Sequence, residues 1–136
     1  MAFKKPSVKK TVTTLNSLRI YLRSVKKFGK STIFRDIVLE EYGDANKGLL
    51  VGCGKEMGYT LLDNLNTTHI ETWKDALELK KWLIEEKGKE HDIEIIAFDV
   101  VDEILPLVEA YVCRLSTQKD GKPCDSINKA MGGLIA

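Results

Sequence analysis

The sequence predicts a single α/β domain with a mainly parallel sheet, and three features carry that prediction. Short apolar, β-prone runs alternate with longer segments whose apolar residues recur at helical spacing. A Ser- and Lys-rich loop, Ser24 to Ser31, falls between one such run and one such stripe. The near-continuous apolar run Ile93-Glu94-Ile95-Ile96-Ala97-Phe98 then ends abruptly on Asp99, as a strand buried under helices on both faces would. With 136 residues, 43% hydrophobic and 30% charged, the chain can build one core and not two.

Taken in order, residues 1–16 are rich in Lys, Thr and Ser without sustained periodicity, and are expected to be a flexible basic arm ahead of a domain spanning 17–136. Leu18-Arg19-Ile20-Tyr21-Leu22 is expected to be a buried strand feeding the loop. Ile33, Phe34, Ile37 and Val38 then form one helical stripe over Ser31 to Tyr42, with Gly43 as its stop. Gly48 to Val51 predicts a second strand and Thr68 to Ile70 a short third. Thr72 with Asp75 forms a capping box opening an amphipathic helix that runs toward Gly88. Its two tryptophans, Trp73 and Trp82, are expected in the core. Asp102 to Leu115 predicts a further helix, with Asp102 at its start and Pro106 in its first turn. Residues 116–125 are expected to be a loop, followed by one helical turn over Ser126 to Met131.

Composition narrows the function classes. No apolar stretch is long enough for a membrane span, and the first residues lack the apolar core of a secretion signal, so a cytosolic protein without a membrane partner is expected. Cys53, Cys113 and Cys124 are odd in number and form no C-x-x-C pair, which favours free thiols. His69 and His91 have no ligand-spaced neighbours and are expected to be loop histidines. The net charge of +1 hides an asymmetry. Residues 1–30 hold nine of the 21 Lys and Arg and none of the 20 Asp and Glu, which leaves about −8 on the remainder. The lysines up to Lys10 lack interleaved aromatic residues and fit a solvated tail better than a base-stacking surface.

The loop reads as a phosphate cradle. Ser24, Val25, Lys26, Lys27, Phe28, Gly29, Lys30, Ser31 and Thr32 precede a helix whose N-terminus presents backbone N–H groups and favourable partial charge to an anion. Gly29 allows close approach of the main chain, Lys30 reaches the terminal phosphates, and Ser31 (or, one register on, Thr32) offers a hydroxyl to Mg²⁺. The pattern G-x-x-x-x-G-K-[ST] is met except at Ser24, where serine replaces the first glycine. Asp99 at a strand tip supplies a carboxylate for the same ion, with a helix N-cap or loop acid as its bland alternative.

Four stretches extend this reading: Leu18-Arg19-Ile20-Tyr21 into Gly29-Lys30-Ser31-Thr32; Gly48 to Val51 followed by Lys55-Glu56-Met57-Gly58-Tyr59; Ile95 to Asp102; and Tyr111-Val112-Cys113. Their order resembles the RecA-like ATPases with their Walker A and Walker B motifs, and more closely the phage-encoded nucleotide-binding proteins of that superfamily that act in DNA recombination. The resemblance implies a P-loop NTPase three-layer fold, ATP and Mg²⁺ as ligands, Lys30, Glu56 and Asp99 as catalytic residues, and Ser31 with Asp99 on the metal. Glu56 would orient the attacking water, with a surface loop acid as the competing reading. Single-stranded DNA and further copies of the chain are the partners it implies, and ATP is preferred over GTP because no N-K-x-D stretch occurs. Such cores continue past the Asp-bearing strand, so the core is expected to be incomplete, either as a truncated chain or with its sheet closed by a neighbouring subunit. A catalytically inactive nucleotide-binding or interaction module is the alternative function. A small-molecule phosphotransferase ranks third, since Arg114 is the one arginine in residues 102–136 to serve a lid.

Overall fold

The computed structural model describes residues 18–25, 27–55 and 62–132. Three strands, β1 (Gly48–Cys53), β2 (Asn66–Ile70) and β3 (Ile95–Asp99), form one parallel sheet in the order β2-β1-β3. Three helices accompany it, α1 (Lys30–Tyr42), α2 (Trp73–Glu85) and α3 (Ile104–Asp120), with short 3₁₀ turns at Ala45–Lys47, Val101–Glu103 and Ile127–Gly132.

The pleat of β1 sorts the core into two clusters. Leu50 points to one face, where Phe34 and Val38 of α1 cover it together with Ile95 and Ala97. Leu49, Val51 and Cys53 point to the other, where they meet Ile70, Ile93, the α2 residues Ala76, Leu79, Trp82 and Leu83, and Ile104 and Leu107 of α3. The result is three layers, with α1 on one side of the sheet and α2 and α3 on the other. As the central strand β1 is buried along its whole length, which is why its sequence reads as an unbroken apolar run.

Local signals explain where the elements begin and end. Gly43 takes φ 66° and donates its N–H to the Leu39 carbonyl, closing α1. Thr72 and Asp75 form the reciprocal capping box, with Asp75 N–H donating to Thr72 Oγ1 at 3.2 Å and Thr72 N–H donating to Asp75 Oδ2 at 2.8 Å. These bonds hold the Asp75 carboxyl below the usual carboxylate range. Pro106 falls in the first turn of α3, where no intrahelical N–H is lost. Gly121 ends that helix at φ 66°.

Several expectations are corrected. Leu18 to Leu22 forms no strand: the segment is irregular, and its apolar side chains are exposed, Ile20 by 60% and Tyr21 by 66%. A short apolar run becomes a strand only beside a partner, and no described strand flanks it. For the same reason β3 is not central. It pairs with β1 alone among the described residues, and Ile96 and Phe98 are 39% and 48% exposed. Residues 116–120 continue α3 instead of forming a loop, because Ser116 lies on the inward side, 3% exposed. Asp102 lies within a 3₁₀ turn, leaving Glu103 at the N-cap of α3. His69 belongs to β2 and not to a loop. The 1–16 arm lies outside the described residues.

Gly48 marks the closest approach of α1 to the sheet. A Cβ there would overlap Val38 Cγ2 and sit 2.9 Å from Cγ1 of this fully buried side chain. Gly48→Ala is therefore expected to destabilise the domain by about 1–3 kcal/mol through overpacking. A urea titration should show a lower midpoint with an unchanged slope, and an unchanged midpoint would refute this account of the contact.

Candidate functional site

Because the three strands are parallel, their C-terminal ends Ile70, Cys53 and Asp99 open on one edge of the sheet. Ligands of open α/β folds gather at this edge, because the loops leaving the strands converge there. The start of α1 is brought to the same place. Ser31 Oγ donates a hydrogen bond of 2.8 Å to Asp99 Oδ2, joining residues 68 apart in the sequence at a partly buried position. The two groups assigned to one metal ion from the sequence are thus in direct contact.

The loop ahead of them is described at Ser24, Val25 and Lys27 to Gly29. Gly29 adopts φ 91° at the N-cap of α1, a conformation glycine takes without steric cost. No side chain caps α1 and no acidic residue occupies its first turn, so its leading N–H groups are not claimed by a carboxylate of that turn. Ile33 N–H donates to the Gly29 carbonyl at 2.9 Å, which starts the helix, and Phe28 N–H donates to Val25 O at 3.4 Å across a turn. The left-handed non-glycine residue of the loop is Lys27, at φ 66°. Ser24, where the motif has glycine, is free of that strain, and its hydroxyl donates to the adjacent Val25 carbonyl at 3.3 Å. Val25 and Phe28 are 75% and 65% exposed, while Lys30, Ser31 and Thr32 are half-buried against the domain. Lys26 and Glu56 lie outside the described residues.

A carboxylate that the sequence did not single out stands at the same edge. Glu103 presses on Gly54, the residue after β1: a Cβ on Gly54 would lie 2.6 Å from Glu103 Oε2. Gly54 adopts φ 63°, receives His69 Nε2 on its carbonyl side at 2.8 Å, and donates its own N–H to Ile70 O at 3.1 Å. Gly52, two residues earlier, is in register with Asp99. Glu103 and Asp99 therefore approach the end of β1 from two elements. Burial pushes the Cys53 thiol beneath them up to about 11, and the charges of Asp99 and Glu103 add to this. The one sequence signal for Glu103 is its position four residues beyond Asp99, in the turn that carries the chain from β3 into α3.

Ser31 and Asp99 are the two side chains at this edge that could share a cation. Among the described residues no three His, Cys, Asp or Glu side chains group to hold a metal alone. A Ser hydroxyl and one Asp carboxylate are the small share of ligands that Mg²⁺ takes from protein when a polyphosphate supplies the rest. A cavity of about 830 Å³ lies elsewhere, along β2 and α2, lined by Leu49, Ile70, Glu78, Trp82 and His91 among others. Trp82 and His91 stack there with ring centroids 4.3 Å apart, and neither Ser31 nor Asp99 contributes to its walls.

The Cys53 environment has a measurable sign. Its folded pKa lies above the ordinary thiol value of 9.0, so the folded chain holds this proton more tightly than the unfolded chain. That contribution is full below pH 9 and is lost as pH rises toward 11. Cys53→Ala should flatten the alkaline fall in stability measured by urea denaturation across this window. An alkaline fall as steep in Cys53→Ala as in the wild type would contradict the assignment.

Comparison with protein-family models, with curated protein sequences and with solved structures returned no match, so the fold and the site stand on their own geometry.

Proposed function

We propose that the protein binds ATP with Mg²⁺ at the edge where α1 meets β3, as a P-loop NTPase. The observation that carries the reading is the Ser31 to Asp99 hydrogen bond, which sets a hydroxyl and a carboxylate side by side at the start of a helix behind a left-handed glycine. A cation bound here would be held by the Ser31 hydroxyl and, through water, by the Asp99 carboxylate, with phosphate oxygens supplying further ligands. Lys30 and the leading N–H groups of α1 then face the negative charge of the polyphosphate.

Turnover needs a further group, one that orients water toward the terminal phosphoryl. Glu103 is a second candidate for this work beside Glu56, supported by its place against Gly54 at the same edge as Asp99. The physiological setting proposed is phage DNA recombination or replication, with single-stranded DNA and self-association as accompanying properties. It rests on the sequence resemblance. Binding without turnover is the alternative, a nucleotide-responsive module that has lost hydrolysis.

Titration with a fluorescent ATP analogue tests the binding reading. Lys30→Ala is expected to weaken affinity about tenfold or more. Asp99→Asn should abolish the gain in affinity that Mg²⁺ confers on the wild type. Equal affinity of wild type and Lys30→Ala ends the assignment. If wild type releases phosphate, Glu103→Gln is expected to lower that rate about 100-fold while leaving binding intact, as loss of a transition-state contact does. No phosphate release, with or without single-stranded DNA, selects the inactive module.

A further inference from the structure

Distant from this edge, two of the three cysteines are neighbours. After Gly121 the chain turns back along α3 and is held to one side of it at two points. Cys124 N–H donates to Thr117 Oγ1 at 3.2 Å, and Ile127 N–H donates to Glu109 Oε1 at 3.0 Å. Positions 109, 113 and 117 repeat at helical spacing, so Cys113 occupies the turn between the two anchors, on the side the returning chain covers. Cys113 is buried, 8% exposed, and Cys124 is half-buried above it. The Cys124 thiol, placed by these anchors over the Cys113 turn of the helix, donates to the Ser126 carbonyl at 3.2 Å. Cys53 is remote from this pair in its role and setting, fully buried at the end of β1.

We propose that Cys113 and Cys124 form a redox pair that closes to an intrachain disulfide by exchange with a low-molecular-weight disulfide. Cys124, the more accessible of the two, loses its proton to water, and its thiolate attacks one sulfur of the oxidant. The oxidant's S–S bond breaks, and one thiolate leaves and takes up a proton. Cys113 then gives its proton to water and attacks Cys124 Sγ in the mixed disulfide, expelling the second thiolate of the oxidant, which is protonated. Two protein thiols are oxidised and one disulfide is reduced to two thiols. The second step is the slower one. In the reduced pair the Cys124 thiol and then burial push the Cys113 thiol up; once Cys124 is in the mixed disulfide, burial remains and limits the thiolate that Cys113 offers for attack. The product staples the segment after Gly121 to α3 and shortens the loop freedom of the unfolded chain, and the oxidised protein should melt at a higher temperature.

The test treats the full chain with oxidised glutathione, then alkylates it in denaturant and measures intact mass and peptide linkage. The expected result is a loss of about 2 Da with one alkylatable thiol remaining, at Cys53, and a linked peptide pair containing Cys113 and Cys124. Cys113→Ser should stop at a glutathione adduct on Cys124, and Cys124→Ser should gain neither adduct nor bridge. Three thiols still open to alkylation in the treated wild type overturn the proposal. So does a wild-type glutathione adduct on Cys124 that persists without bridging, or a bridge between two chains in place of the internal one.

Discussion

A hydrogen bond between Ser31 and Asp99 adds a polar tie between two segments that Phe34, Val38, Ile95 and Ala97 already pack together around Leu50. One end belongs to the start of α1 and the other to the end of β3, so the bond fixes where the helix begins relative to the edge on which the strands end. The remaining geometry supports that contact. Gly48 lets α1 settle against β1 without a side chain between them, and the parallel register carries Asp99 level with Gly52 and its neighbours. Moving α1 outward by the width of a methyl group would separate the two groups that the site needs in contact.

What the sequence disclosed follows from what short-range physics can encode. Capping by Thr72 and Asp75, the stop at Gly43 and the burial of β1 depend on residues close in the chain, and each is present as read. The juxtaposition of Ser31 and Asp99 was legible too, because a loop before a helix and an acid after an apolar run both point to the same sheet edge. Features set by long-range partners were not. Leu18 to Leu22 has the composition of a strand, and no strand among the described residues pairs with it. Residues 116–120 are polar in composition, yet Ser116 is inward-facing and the helix continues to Asp120. Glu103 gains its position from a turn whose shape no periodicity reveals, and the Cys113 to Cys124 contact depends on the chain reversing after Gly121.

Charge is divided along the molecule in a way that matches the site. The first 30 residues carry cations alone, while Asp99, Asp102 and Glu103 cluster where β3 passes into α3. The Trp82 and His91 stack and its cavity lie along β2 and α2, and neither Ser31 nor Asp99 lines them. His91 Nε2 is buried there without a hydrogen-bond partner among the described residues.

The outer border of β3 bears on how the protein behaves in a concentrated solution. Its backbone groups on that side meet no described strand, and Ile96 and Phe98 stand half-exposed beside them. Such a border is a template for any extended polypeptide of matching pitch. With a net charge of only +1, long-range repulsion between molecules is weak and does little to oppose such pairing.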